Sequence, residues 1–228
     1  MRMSQEAGVP VILMNPVSNL KDSPPFKSEY GNSITEEDRQ RVETLREKAR
    51  QLDWNDAYGK LRHLEQAVEI DHRHAGLLYL IGKCYEHVGR LEDAKEWFVR
   101  AKEEDICPLR ILEAMHEIIL EVAEDYRVPL VDVKLLFEEQ SEAGMPGNEW
   151  LLDHVHPSIR GHQLIADELY QTIEEMELVT TPEHWQRRRD KLWQDHQGAL
   201  NPAYYARGEQ QLERLRKWCR GEAPDLPD

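Results

Sequence analysis

The stretch AGLLYLIGKCYEHVGRLEDAKEWFVRAKEEDICP, residues 75–108, has the clearest helical periodicity in the chain. Counted from Ala75, its small and bulky residues recur where a helix–turn–helix unit of about 34 residues requires them. Gly82 and Ala94 let two helices approach closely, while Gly89 makes the turn between them. The sequence therefore predicts a packed helix pair here, with these residues at its interface: Leu78, Ile81, Gly82, Tyr85, Ala94, Phe98 and Ala101.

This spacing resembles that of the tetratricopeptide repeat. The preceding segment, LREKARQLDWNDAYGKLRHLEQAVEID at residues 45–71, resembles a degenerate earlier copy of the same unit. Helical character is predicted from Thr35, an N-cap followed by acidic residues, to about residue 126. Because two copies are fewer than a free solenoid needs, we expect these helices to pack against another element.

Two short apolar runs, VPVILM at residues 9–14 and VPLVDV at residues 128–133, are typical of parallel strands buried on both faces. A helix expected at about residues 109–126 has the length of a βαβ crossover. Two such strands do not form a stable sheet alone, and the chain has no third run of this quality. We therefore expect more sheet, from residues preceding Met1 or from another polypeptide.

Composition excludes several classes of partner. The formal net charge of -15 argues against a nucleic-acid groove, which needs clustered Lys and Arg. No apolar run approaches the roughly 18 residues that span a bilayer. The cysteines Cys84, Cys107 and Cys219 are odd in number and without a C-x-x-C pair, which predicts reduced thiols and a cytoplasmic protein.

The segment LLDHVHPSIRGHQLIADEL, residues 151–169, places Asp153 three residues before His156, with Pro157 directly after the histidine. At this spacing the Asp153 carboxylate can accept a hydrogen bond from the His156 ring and fix its tautomer. Pro157 restricts His156 to an extended backbone and starts a helix expected at about residues 158–176. The pair is therefore a candidate orienting acid, Asp153, and general base, His156.

Two other interpretations fit the same residues. Asp153 can simply cap the following helix and bond the histidine locally, without a catalytic role. Alternatively, Asp153, His154, His156 and His162 offer a carboxylate and imidazoles to a metal such as zinc. Because the chain has no second ligand cluster, we expect neither a metal nor another cofactor.

The block Asp153-x-x-His156-Pro157, together with Gly161 and His162 after it, resembles the last motif of the SGNH hydrolases, also called GDSL esterases or lipases. The resemblance covers about residues 8–34 and 127–177, and similar chains that carry tetratricopeptide repeats form a bacterial subgroup. It implies an α/β fold, the C-terminal part of a doubly wound, flavodoxin-like parallel-sheet domain with a helical repeat insertion. The implied domains are an SGNH-type strand and loop at 1–34, the repeat insertion at 35–108, the helix, strand, Asp-His block and terminal helix at 109–180, and a helical extension with a disordered tail at 181–228.

The chain departs from that family where the nucleophile should be. The Gly-Asp-Ser block is absent, and so are the Gly and Gly-x-Asn blocks that supply oxyanion donors. Lys21-Asp22-Ser23 lacks the preceding glycine and lies in a Pro-rich loop, so Ser23 is not expected to be the nucleophile. In the same loop, Asn19 and Ser28 are candidate polar contacts of a substrate pocket or else plain structural connectors.

Two functions follow from these patterns. The resemblance implies hydrolysis of a small acyl ester by acyl transfer to water, with His156 and Asp153 as catalytic residues. The chain alone is expected to be inactive, because a base and an orienting acid cannot form an acyl-enzyme without a nucleophile. The alternative is a non-catalytic module whose repeat helices bind a protein or peptide partner, or merely brace the rest of the molecule.

Overall fold

The computed structural model describes residues 1–219, so the predicted disordered tail at 221–228 lies outside the described residues. The chain is 62% helix and 4% strand and divides into two compact units, residues 1–162 and residues from 163 onward. No helix among the described residues has the length and apolar character needed to cross a membrane. The elements in chain order are α1 (Arg2–Glu6), β1 (Leu13–Asn15), α2 (Glu36–Gln51), α3 (Ala57–Ile70), α4 (Ala75–His87), α5 (Leu91–Glu103), α6 (Glu113–Tyr126), β2 (Leu130–Asp132), α7 (Val133–Glu139), α8 (Ile159–Glu175), α9 (Trp185–Ala199) and α10 (Pro202–Cys219).

The predicted α/β fold is wrong. Within residues 1–219 the sheet consists of β1 and β2 alone, paired in parallel with Leu13 opposite Leu130 and Asn15 opposite Asp132. This is not a doubly wound parallel sheet, because most of the chain is helical. Each apolar run is longer than the strand it forms, since a strand extends only as far as its ladder of partners. Val9, at the start of the first run, is 57% exposed.

The helices α2, α3, α4 and α5 pack against one another in succession and form the main hydrophobic core. The predicted helix pair at residues 75–108 is present as α4 and α5. A Cβ atom at Gly82 would lie 2.7 Å from the Phe98 ring, so only glycine permits this approach. Gly89 has a φ of 78° and makes the turn. Assignment of the pair to the tetratricopeptide class stays a prediction.

The start of α2 is stabilised by a capping box. Thr35 Oγ1 accepts a hydrogen bond from the Asp38 amide (3.1 Å), and the Asp38 carboxylate accepts one from the Thr35 amide (3.4 Å). This arrangement confirms the predicted N-cap.

We expect Thr35→Ala to lower the free energy of unfolding by about 0.5–2 kcal/mol, because an amide of the first helical turn loses its acceptor. Urea denaturation measures the difference. The control is Thr44→Ala, which changes an exposed position inside the same helix and should shift stability by less than about 0.5 kcal/mol. Equal effects of the two substitutions would contradict the capping role.

The long loop after β1 is held to the helices by two buried carboxylates. Asp105, which follows α5, accepts hydrogen bonds from the amides of Phe26 (2.7 Å) and Lys27 (3.1 Å). Asp71, which follows α3, accepts one from the amide of Gly31 (3.1 Å). Hydrogen bonds between a charged carboxylate and backbone amides are strong, so this loop is fixed on the helical layer rather than free in solvent.

The second unit is built from the rest of α8 with α9 and α10. Arg189 of α9 forms an ion pair with Asp167 of α8 (2.7 Å), and the rings of Tyr170 and Trp185 lie 4.2 Å apart. Helix α9 begins at Trp185. These contacts join polar helices mainly through exposed or half-buried side chains.

Candidate functional site

Residues 150–158, the Asp-His loop, form a closed loop that leads into α8. The Leu152 amide donates a hydrogen bond to the His156 carbonyl (2.8 Å), and the Ser158 amide donates one to the Trp150 carbonyl (2.7 Å). These two bonds tie the ends of the loop together. The backbone between them is therefore held in a closed turn.

The base of the Asp-His loop is anchored by buried apolar side chains. Trp150 and Leu151 are almost fully buried, and the Trp150 ring packs edge-on against Phe137 of α7 with centroids 5.4 Å apart. Gly161, in the first turn of α8, allows close contact, since a Cβ atom there would lie 2.8 Å from the Trp150 carbonyl oxygen. The buried side chains thus hold the base of the Asp-His loop, while its tip lies at the surface.

Asp153 and His156 meet within the loop as their spacing predicts. Asp153 Oδ2 lies 2.7 Å from His156 Nδ1, while Asp153 Oδ1 accepts hydrogen bonds from the amides of Val155 (2.9 Å) and His156 (2.8 Å). The Asp153 side chain is only 12% exposed, but that of His156 is 70% exposed. An ionised carboxylate can only accept, so Nδ1 carries the hydrogen and Nε2 faces outward as an acceptor when the ring is neutral.

The ionised form of Asp153 is favoured in the folded state. Burial alone would raise the pKa of Asp153, but the amides of His156 and Val155 and the His156 ring outweigh burial and hold that pKa below its ordinary value. A carboxyl with a depressed pKa stabilises the folded state above the unfolded-state pKa, and this stabilisation is lost as the pH falls through the folded-state pKa.

We therefore expect the Asp-His loop to loosen on acidification below about pH 4. The protection factors of the Val155 and His156 amides, measured by NMR hydrogen exchange, should fall there because protonated Asp153 is a weaker acceptor. In Asp153→Asn the acid transition should be absent. An acid transition of these amides that is the same in the wild-type protein and in Asp153→Asn would contradict this assignment.

The neighbouring histidine has a structural position. The His154 ring packs edge-on against Phe26 with centroids 4.8 Å apart, and its carbonyl accepts a hydrogen bond from the Asn19 amide (2.9 Å). Burial lowers the pKa of His154, and this effect outweighs the nearby Asp153 charge, which raises that pKa. The neutral form of the His154 ring is therefore favoured. His154 thus joins the Asp-His loop to the loop after β1 and leaves His156 as the exposed imidazole of the pair.

Asn19 and Ser28 serve as connectors in this structure. Asn19 is buried and donates from its side chain to Asn148 Oδ1 (3.0 Å), while Ser28 Oγ accepts a hydrogen bond from the Gly76 amide at the start of α4 (2.9 Å). The Asn19 side chain is thus enclosed within the loop, and Ser28 joins the loop to α4. Of the two alternatives that the sequence left open, the structure supports the connector role for both residues.

Within the part of the chain that the structure describes, no nucleophile is paired with His156. Among the described residues, His156 Nε2 has no hydrogen-bond partner, so none of their hydroxyl or thiol groups is activated by it. Ser23 is nearly buried and its carbonyl accepts a hydrogen bond from the Arg110 guanidinium (2.8 Å). The structure therefore places Ser23 as part of the loop scaffold.

The geometry does not support the metal alternative. Within residues 1–219, no group of three or more His, Cys, Asp or Glu side chains is arranged to hold a metal ion. Asp153 is hydrogen-bonded to His156, His154 packs against Phe26, and His162 lies exposed on α8.

A buried polar network at the ends of the strands was not predicted from the sequence. Asn15 Oδ1 lies 2.5 Å from His116 Nδ1, and Asn15 Nδ2 donates to Asp132 Oδ1 (2.9 Å). Burial lowers the pKa of His116, so the ring is held neutral with its hydrogen on Nδ1. The one available signal was Asn15 itself, a polar residue directly after an apolar run.

Arg110 is a second buried polar residue that sequence reasoning missed. Its Nη1 atom donates to the carbonyls of Asn19 (3.1 Å) and Ser23 (2.8 Å), and Asp105 lies 3.9 Å from Nη2. The side chain is 2% exposed. A single buried arginine has no sequence signature, since the two carbonyls that accept its hydrogen bonds are about 90 residues away in the chain.

The arrangement at the Asp-His loop is suited to proton transfer. One ring nitrogen of His156 is held by a carboxylate and the other is open to solvent, so the imidazole can take up and release a proton at Nε2.

No protein-family model, no curated protein and no solved structure matches this chain.

Proposed function

We propose that Asp153 and His156 are the orienting acid and the general base of an ester hydrolase of the SGNH type. The nucleophile and the oxyanion donors would come from polypeptide outside these 228 residues. The observation that carries the proposal is the 2.7 Å contact between Asp153 Oδ2 and His156 Nδ1, combined with an exposed Nε2 atom. The motif resemblance of Asp153, His156 and Pro157 supports it.

The chemistry would proceed by acyl transfer. His156 Nε2 takes the proton of the incoming serine hydroxyl as that oxygen attacks the ester carbonyl carbon, and Asp153 stabilises the imidazolium that forms. The same Nε2–H then protonates the departing alcohol as the C–O bond of the ester breaks. Water, deprotonated by Nε2 in the second half-reaction, releases the acid and regenerates the serine.

The test is to coexpress this chain with the polypeptide encoded directly upstream of its gene and to follow hydrolysis of p-nitrophenyl acetate. We expect the chain alone to hydrolyse no more ester than free imidazole at equal concentration. The assembled form, which we call the completed hydrolase, should show saturable turnover. Absence of turnover in any assembled form would contradict the proposal.

A second candidate function, a protein-interaction module, is favoured by the helical layer. The close contact of Gly82 with Phe98 joins α4 to α5 as in tetratricopeptide-type pairs, and a groove of about 550 Å³ runs between α2 and α3. This function predicts saturable peptide binding that is lost when groove residues such as Leu45 and Gln66 are altered, without turnover in any form.

A further inference from the structure

A cavity of about 340 Å³ lies among α2, α3 and α4, separate from the Asp-His loop. Its apolar wall includes Ala49, Leu64 and Cys84, which are all buried, and the Trp54 ring. Burial raises the pKa of the Cys84 thiol to about 11, so Cys84 contributes a neutral surface. An apolar group therefore fits the interior of this cavity.

The charged residues that line the cavity are unequally paired. Arg46 forms an ion pair with Glu43 (2.6 Å), and Arg50 forms one with Glu47 (2.6 Å). Lys60, the remaining cation, forms no ion pair with a carboxylate among the described residues. The lining thus carries one positive charge that no described carboxylate balances.

Lys60 is buried within this lining. It is 7% exposed, and its Nζ atom donates a hydrogen bond to the Ala49 carbonyl (2.9 Å) and lies 4.8 Å from the centroid of the Trp54 ring. Both partners line the cavity, so the ammonium group lies at the cavity wall. The Trp54 ring and the carbonyl at the end of α2 offset only part of the cost of burying a charge.

We propose that this cavity binds a small-molecule monocarboxylate with an apolar body. The carboxylate pairs with Lys60, and the apolar body contacts Leu64, Cys84 and the Trp54 ring. The charge balance carries the choice of ligand, since one carboxylate supplies the one missing negative charge. Three helices line the cavity, and its volume is at the lower end of the range for small-molecule sites, which favours a compact ligand over a peptide chain.

The experiment uses the full chain and octanoate as the probe, with isothermal titration calorimetry as the measurement. We expect octanoate to bind at one site per chain, about tenfold or more tightly than 1-octanol, which has the same apolar body without the charge. Lys60→Met keeps the apolar stem and removes the charge, so it should weaken octanoate binding about 10- to 100-fold and leave 1-octanol binding unchanged. Lys48→Met removes an exposed charge from α2 outside the cavity and should not change either affinity.

Three results would overturn the proposal: no saturable binding of octanoate, equal affinities for octanoate and 1-octanol, or full octanoate affinity in Lys60→Met. If Lys60→Met does not fold, the comparison of octanoate with 1-octanol in the wild-type chain still tests whether the carboxylate contributes to binding. Binding of a short peptide with a free C-terminal carboxylate where octanoate does not bind would overturn the assignment to a small molecule. None of these readouts involves ester turnover, so the proposal stands or falls independently of the hydrolase function.

Discussion

His156→Ala is expected to lower ester turnover by the completed hydrolase at least about 10³-fold. Without the imidazole, no group at the Asp-His loop can take the serine proton or return it to the departing alcohol. The fold should persist, because the His156 side chain is 70% exposed and its main structural contact is with Asp153. Initial rates of p-nitrophenyl acetate hydrolysis, with circular dichroism to verify folding, measure the effect.

The matched control is His162→Ala, which removes an exposed histidine from the adjacent helix and should leave turnover within about twofold of wild type. Asp153→Asn tests the orienting role separately, because an amide cannot stabilise the imidazolium and favours the wrong tautomer of His156. We expect this substitution also to cause a large loss of ester turnover. Equal turnover in His156→Ala and His162→Ala would contradict a catalytic role for His156. The Asp153–His156 contact would then be a local structural pair.

Phe98→Ala is expected to lower the free energy of unfolding by about 3–5 kcal/mol. Phe98 is 1% exposed and lies against Gly82, and its ring centroid is 5.3 Å from that of Tyr79. Truncation removes a large apolar surface and leaves a cavity between α4 and α5 that rigid helices cannot close. Urea denaturation followed by circular dichroism at a helical wavelength measures the loss.

The control for Phe98 is Tyr58→Ala, an aromatic truncation on α3 at a residue that is 63% exposed. It should cost less than about 1 kcal/mol, because most of its ring is already in water. Comparable losses in the two variants would show that the α4–α5 interface does not depend on Phe98. The helix pair would then be stabilised mainly by its aliphatic residues.

Short-range patterns in the sequence were sufficient for the helices and for the Asp-His pair. The capping box at Thr35, the turn at Gly89 and the contact of Asp153 with His156 each join residues at most four apart or depend on one backbone conformation. Such features are local, so they can be predicted from the periodicity and spacing of residues in the sequence. Helix α8 also begins at Ile159, close to its predicted start after Pro157.

The two apolar runs did not form the larger sheet that the sequence predicts. An apolar run is compatible with a buried strand, and two runs of similar character predicted part of a larger sheet. Strand length depends on partners elsewhere in the chain, and within residues 1–219 only Leu13–Asn15 and Leu130–Asp132 pair as strands. Apolar character therefore indicates burial but does not by itself specify a sheet.

The sequence by itself determined the helix pair of α4 and α5, the cap at Thr35 and the pairing of Asp153 with His156, because these depend on neighbours along the chain. Only the tertiary structure decided that Asn15 meets His116 and that, within residues 1–219, the sheet has two short strands and Lys60 lines a cavity without a counter-ion. The physical reason is distance along the chain. His116 lies 101 residues from Asn15, and which distant groups become buried together is set by packing rather than by periodicity.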